Sequence, residues 1–96
     1  MKKILILGNM DNEKLFRDAE RKLAEDKENV VINPVKIMYA LPEGINKSDF
    51  IVVLIELVRI SDAVVLMPDW RADLAATIAN TNAKREGREI IEWTET

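Results

Sequence analysis

The segment DAVVLMPDWRADLAATIAN, residues 62–80, predicts a strand, a polar turn and a helix in immediate succession. Its apolar run AVVLM (63–67) is typical of a parallel strand buried on both faces, and Pro68 ends the run because proline cannot donate to a strand ladder. The stretch ADLAATIANTNAKRE then predicts a helix from Ala72 to Glu86, closed by Gly87. This unit is the pattern from which the rest of the fold is predicted.

The same alternation of strand and helix recurs on both sides of this segment. KKILILG predicts a first strand over residues 3–7, VVI a second over 30–32, and EIIEW a fourth over 89–93. An amphipathic helix from Glu13 to Asp26 separates the first two strands. We therefore predict a single α/β domain over residues 1–96: a small flavodoxin-like or Rossmann-like three-layer sandwich with a four-stranded parallel sheet in the order 2-1-3-4.

The region between the second and third strands has two parts. VKIMYALPEGINK (35–47) is predicted to be a loop because of Pro42 and Gly44, although it is unusually apolar. DFIVVLIELVRI, from Asp49 to Ile60, is predicted to be a helix capped by Ser48. Because few charges interrupt its apolar surface, we expect a homodimer or higher homo-oligomer through residues 49–60; a helix wedged deeply into its own core is the alternative.

Composition excludes several classes of function. The 96 residues are 48% apolar and 32% charged with a net charge of -3, which suits a globular domain. Basic residues are scattered among carboxylates, which argues against a nucleic-acid partner. The chain has no cysteine and no histidine, so we expect neither a metal site nor a cofactor. The longest apolar run, Phe50 to Ile55, is too short for a membrane span, and we expect a cytoplasmic protein.

Ligands of open parallel sheets bind beyond the carboxyl ends of the strands, where successive connections leave to opposite sides. In the predicted order this point lies between strands one and three. The predicted ligand-binding residues are those of the loops that meet there, with one amide from the following helix: Gly8, Asn9, Met10, Asp11, Asn33, Pro34, Asp69, Trp70 and Asn80.

Several of these residues also have a purely structural interpretation. Gly8 can permit a sharp turn as well as the close approach of a ligand. Asp11 can cap the first helix, Trp70 can cover the core instead of stacking on a ligand, and Asn80 can face solvent. The alanines of the last helix favour close packing on the sheet, although they would also leave space for a flat ligand.

Standard phosphate-binding signatures are absent from the sequence. Its three glycines cannot form GxGxxG, no GxxxxGK[ST] occurs, and the first turn lacks the Ser/Thr-rich loop of flavodoxins. These absences argue against classical dinucleotide, ATP and flavin sites.

Three short motifs occur in an order that resembles a known family. They are INP at 32–34, LPEG at 41–44 and SDAVVLMPDW at 61–70. Together they resemble a small phage-frequent family of unknown function with the nucleoside 2-deoxyribosyltransferase-like fold. The resemblance spans nearly the whole chain, and it implies a nucleotide-type pocket and a phage-encoded protein that acts in the host cytoplasm.

The resemblance also indicates where catalysis would occur. In the transferases, a glutamate on the helix after the third strand attacks the anomeric carbon of the sugar, and the matching position here is Ala79. The resemblance therefore implies a non-catalytic module that binds a nucleoside, nucleotide or nucleotide-derived molecule. One alternative is an N-glycosidase or deoxyribosyltransferase-like enzyme in which Asp69, Asp73 or Glu43 replaces the glutamate. Another is a non-catalytic oligomeric interaction protein.

Overall fold

A computed structural model describes residues 1–94 of the chain. Within that range four strands form one sheet: β1 (Lys2–Leu7), β2 (Asn29–Ile32), β3 (Ala63–Leu66) and β4 (Glu89–Glu92). All neighbouring strands pair in parallel, in the order β2-β1-β3-β4. The predicted α/β class and strand order are confirmed. Glu95 and Thr96 of the predicted domain lie outside the described residues.

Helices cover both faces of this sheet. In the described residues they are α1 (Glu13–Leu23), α2 (Pro34–Ala40), α3 (Lys47–Ile60) and α4 (Leu74–Arg85), with a 3-10 turn at Trp70–Ala72 before α4. α1 packs on one face, while α3 and α4 pack together on the other. The connections therefore change sides between β1 and β3, as the predicted three-layer sandwich requires.

Strand β1 shows why its sequence is apolar without interruption. Ile4 and Ile6 join the core on the α1 face, whereas Leu5 and Leu7 join the core on the face of α3 and α4. Both sets are at most 2% exposed. A strand covered on both faces needs apolar side chains at every position, because successive side chains point to opposite sides.

The predicted loop over residues 35–47 is wrong in its first half, where the chain forms α2. Asn33 is the N-cap of this helix, and its Oδ1 accepts a hydrogen bond of 3.0 Å from the Val35 amide. Pro34 occupies the first helical turn, where its fixed φ is favourable and its missing amide is not needed. The residues that end β2 therefore also start a helix.

The predicted helix over residues 49–60 is confirmed, but Ser48 is not its cap. α3 begins at Lys47, and Asn46 is the N-cap. Asn46 Oδ1 accepts a hydrogen bond of 2.9 Å from the Asp49 amide, and the Asp49 carboxylate accepts one of 3.4 Å from the Asn46 amide. This reciprocal capping box satisfies two amides that a helix leaves unpaired, which explains why the helix starts two residues early.

The other two long helices, α1 and α4, are shorter than predicted. α1 ends at Leu23 instead of Asp26, and α4 begins at Leu74 instead of Ala72. α4 starts later because Asp73 is its N-cap. Asp73 Oδ1 accepts a 3.0 Å hydrogen bond from the Ala76 amide. None of the helices in residues 1–94 is long and apolar enough to cross a membrane.

Candidate functional site

A cavity of about 690 Å³ opens at the carboxyl end of the sheet. Three chain segments enclose it: residues 9–11 after β1, residues 41–46 between α2 and α3, and residues 72–75 at the start of α4. α2 and α3 add side chains to its wall, and these are Met38, Tyr39, Ser48, Phe50 and Ile51. Small-molecule sites commonly have volumes of about 300–1,000 Å³, so this cavity has the size of a ligand site.

The cavity brings together only some of the residues predicted from the sequence. Of the predicted ligand-binding residues, Asn9, Met10 and Asp11 line it. Of the predicted substitutes for the catalytic glutamate, Glu43 and Asp73 line it. The structure places the remaining candidates elsewhere, and these are Gly8, Asn33, Pro34, Asp69, Trp70 and Asn80.

Gly8 and Asp69 join the turns that follow β1 and β3. A side chain on Gly8 would have its Cβ only 2.7 Å from the Met67 Cβ and 3.0 Å from Asp69 Oδ1, so the glycine allows close packing of the two turns. Its φ is not positive, so a sharp left-handed turn is not the reason for it. Asp69 Oδ1 accepts a 3.1 Å hydrogen bond from the Asn9 amide, which fixes the first turn beside the cavity.

Asn33 belongs to a polar cluster beneath α2 instead of the cavity wall. Its side-chain Nδ2 donates to Glu20 Oε1 at 3.1 Å, and Lys36 Nζ donates to Glu20 Oε2 at 2.7 Å. Partial burial raises the pKa of the Glu20 carboxyl, but the hydrogen bonds from Lys36 and Asn33 outweigh that effect and hold its pKa below the usual value. With its Oδ1 capping α2, Asn33 has both ends of its amide engaged.

Asn80 lies in the core, and Trp70 is half-buried against the edge of the core. The Trp70 ring packs against the hydrophobic core on the sheet face that α3 and α4 cover. The Arg71 guanidinium lies over the ring, 4.8 Å from its centroid. Asn80 is only 3% exposed, so the alternative that it faces solvent is wrong. Its Oδ1 is buried without a hydrogen-bond partner in residues 1–94. The buried face of α4 that includes Asn80 is built mainly from alanines, which bring the helix close to its neighbours.

The acidic side chains of the cavity fall into two groups. Asp73 is committed to the α4 cap. The carboxylates of Asp11 and Glu43 have no hydrogen-bond or ion-pair partner within the described part of the chain. The structural interpretation of Asp11 as a helix cap is therefore wrong: Asn12 holds the N-cap position of α1, and neither side chain donates or accepts there.

Tyr39 is a wall residue that the sequence prediction missed. Its hydroxyl donates a 2.6 Å hydrogen bond to Glu13 Oε2, at the first turn of α1. That bond, together with the negative charge of Glu13, raises the pKa of the Tyr39 phenol above its usual value. The hydrogen bond fastens α2 to the start of α1 and so fixes one side of the cavity. The apolar composition of residues 35–41 was the available signal, because such residues in a polar region need something to pack against.

The lining combines two kinds of surface. One is apolar, with thioether, aliphatic and aromatic side chains that include Met10, Leu41 and Phe50. The other is polar and carries amide, hydroxyl and carboxylate groups, namely those of Asn9, Asp11, Glu43, Asn46, Ser48 and Asp73. No group of three or more metal-binding side chains that could hold an ion occurs in residues 1–94. The arrangement suits an organic ligand that has one apolar part and one part rich in hydrogen-bond donors.

Comparison with known families gives one match. The family model described as Domain of unknown function (DUF4406) matches residues 5–92, from within β1 to the end of β4. No curated protein and no solved structure matches the chain. The matched span includes every segment that encloses the cavity.

Proposed function

The chain belongs to the DUF4406 family, a domain of unknown function, and from its site we propose that it binds a nucleoside, nucleotide or nucleotide-derived small molecule. The observation that carries the proposal is the cavity of about 690 Å³ at the carboxyl end of the sheet. Open parallel sheets bind ligands at this position, beside the point where the connections change sides. The motifs INP, LPEG and SDAVVLMPDW, whose order resembles a family with the nucleoside 2-deoxyribosyltransferase-like fold, support a ligand of this class.

The two surfaces of the cavity correspond to the two parts of a nucleoside. A flat base would pack against the apolar side chains, such as Met10 and Leu41. The hydroxyls of a sugar would donate hydrogen bonds to carboxylate and amide oxygens, for which Asp11 and Asn9 are placed in the wall. Exposed carboxylates without partners are well suited to this role, because binding a hydroxyl does not require them to give up an existing bond.

Binding without catalysis is favoured by the residue at the position of the transferase nucleophile. Ala79 is completely buried in the core beneath α4 and does not line the cavity. Its methyl group cannot attack a sugar or move a proton. A covalent glycosyl intermediate of the transferase type therefore has no attacking group at this position.

A thermal-shift screen of nucleosides, nucleotides and NAD-derived nucleotides tests the proposal. A ligand that binds only the folded state raises the melting temperature as its concentration rises. Ala72→Trp, which adds a large side chain to the cavity wall, should abolish the shift. Ala24→Trp makes the same change at the exposed C-cap of α1, at the end of the helix away from the cavity, and should leave the shift intact. A shift that survives Ala72→Trp unchanged would place the ligand elsewhere and contradict the proposal.

Glu43 leaves one catalytic alternative. Its carboxylate lines the cavity without a partner, whereas Asp69 and Asp73 are bound to backbone amides. In an N-glycosidase, Glu43 would remove a proton from water as the water oxygen adds to the anomeric carbon and the bond from that carbon to the base nitrogen breaks. The departing base would take up a proton from solvent water. Incubation of each stabilising compound followed by chromatography distinguishes the two functions. Released base that disappears in Glu43→Gln would establish the enzyme, and recovery of intact compound supports the binding module.

We further propose that α3 mediates self-association, the property predicted for residues 49–60. Val52 is 60% exposed and Ile60 is 53% exposed on this helix. Glu56 and Arg59 form a 3.6 Å ion pair on the exposed surface of α3. If two copies of α3 paired antiparallel, Glu56 of one copy would lie next to Arg59 of the other. Sedimentation velocity should show Val52→Asp shifting the protein towards monomer. Leu54 is buried in the core of its own chain, so it is unsuitable for this test.

A further inference from the structure

The described wall of the cavity carries carboxylates and no basic side chain. The side chains of Asp11, Glu43 and Asp73 line it, and none of the described residues that line it is a lysine or an arginine. Two of these carboxylates, those of Asp11 and Glu43, have no partner in residues 1–94. A ligand would therefore meet two full negative charges that are not already engaged.

Three described basic side chains near the cavity have partners outside it. Lys14 of α1 and Lys36 of α2 have their Nζ atoms 2.8 Å and 2.7 Å, respectively, from carboxylate oxygens of α1. Arg71 lies over the ring of Trp70. The amide end of α4 is also unavailable to an anion, because the Asp73 carboxylate already occupies it. A phosphate group would thus meet like charges without a compensating cation in the described wall.

The apolar part of the wall suits a positively charged ring. Met10 and Met38 contribute polarizable thioethers, and Tyr39 contributes an aromatic ring whose hydroxyl is held by Glu13. Aromatic faces attract organic cations, and sulfur packs favourably against flat rings. Carboxylates and these soft surfaces therefore line the same cavity.

From this arrangement we infer that the ligand is an organic cation, a nucleoside-type molecule whose heteroaromatic ring is positively charged, and that phosphorylated forms are rejected. The inference rests on the proposed function and specifies the chemical class of its ligand. Its physical basis is Coulombic. Two opposite unit charges about 4 Å apart attract each other by about 1 kcal/mol even in water, which raises affinity roughly five-fold over that of an uncharged ligand. Two free carboxylates make the selection cumulative.

A charge series of otherwise similar compounds tests the inference by calorimetric titration. Nicotinamide riboside is a cation, nicotinic acid riboside has no net charge, and nicotinamide mononucleotide adds a phosphate. The series 1-methyladenosine, adenosine and adenosine monophosphate repeats the comparison with another ring. We expect affinity to fall about five- to ten-fold at each step in the ring system that the cavity accepts, and the affinity of the cation to fall as salt is raised.

Substitution of the free carboxylates gives the matched control. Asp11→Asn combined with Glu43→Gln should bring the affinities of cation and neutral compound to within about two-fold, because the two carboxylates without partners no longer attract the cation and only the Asp73 carboxylate, held by the α4 cap, remains. Glu25→Gln changes an exposed carboxylate just beyond the far end of α1, about 16 Å along the helix axis, and should preserve the ranking. Neutral or phosphorylated compounds that bind as tightly as the cations would overturn the inference alone. No binding by these compounds or by any in the wider screen would overturn the proposed function with it.

Discussion

The polar cluster beneath α2 makes a specific prediction about Asn33→Asp. The substitution preserves size and leaves an oxygen for the Val35 amide, so the helix cap survives. It also replaces the donor that lies 3.1 Å from Glu20 Oε1 with a second carboxylate oxygen. A favourable hydrogen bond thus becomes a repulsive contact at a residue that is only 5% exposed.

The size of the effect follows from this distance. Two unit charges about 3 Å apart repel by about 5 kcal/mol at an effective dielectric constant of about 20. Protonation of one carboxyl limits the penalty, because protonating a group with a pKa near 4 at pH 7 costs about 4 kcal/mol. Lys36, with Nζ 2.7 Å from Glu20 Oε2, reduces the repulsion further. We expect the free energy of unfolding to fall by about 2–4 kcal/mol at pH 7.

Urea denaturation at pH 7 and pH 4 measures this prediction. In the variant the pair of carboxylates has a folded-state pKa above its unfolded value, so the penalty is present at pH 7 and shrinks as pH falls towards 4. The wild-type Glu20 has a lowered pKa, so its stabilising contribution is present above its unfolded pKa and is lost as pH falls through the folded pKa. The two proteins should therefore converge in acid. Adding Glu20→Gln to Asn33→Asp should restore at least half of the loss. Equal destabilisation at both pH values, or no recovery, would refute the reasoning.

Three further variants test other contacts of the structure. Gly8→Ala should lower the free energy of unfolding by about 1–3 kcal/mol in urea denaturation, because the new methyl collides with Met67. Tyr39 is the single tyrosine, so alkaline absorbance titration should give a midpoint above the usual value, and Glu13→Gln should lower it. Trp70→Ala should destabilise by about 2–3 kcal/mol yet keep ligand affinity within about two-fold at temperatures where the variant is folded, a result that a stacking role would not permit.

The strand order could be predicted because the buried strands have a simple pattern. β1 and β3 are covered on both faces, so their sequences are continuous apolar runs that end in Gly8 and Pro68. Alternation with helices then leaves few parallel topologies. α2 was missed because Pro42 and Gly44 dominated the local pattern. The Asn33-Pro34 pair, a polar cap followed by proline at the first helical position, was the signal for this helix.

The candidate site was predicted in position but not in composition. The rule for open parallel sheets selects the end of the sheet at which the cavity opens, and the turn over residues 9–11 lines that cavity. It does not show whether a polar side chain near that end faces the cavity or bonds to the protein. Asp69 and Asn33 bond to backbone amides, and Trp70 packs half-buried against the core. Such choices depend on contacts distant in sequence.

The division of polar groups at this end of the sheet connects stability with binding. Asn33, Asn46, Asp69 and Asp73 each accept a hydrogen bond from a backbone amide, and each holds a turn or a helix start in place. The carboxylates of Asp11 and of Glu43 in the neighbouring wall hold nothing within residues 1–94. Variants of the first group should therefore lower stability and disturb binding only through the fold, while neutralising the second group should leave the urea midpoint nearly unchanged. Because the two free carboxylates contribute little to the fold, any effect of their substitution on affinity reports the ligand directly.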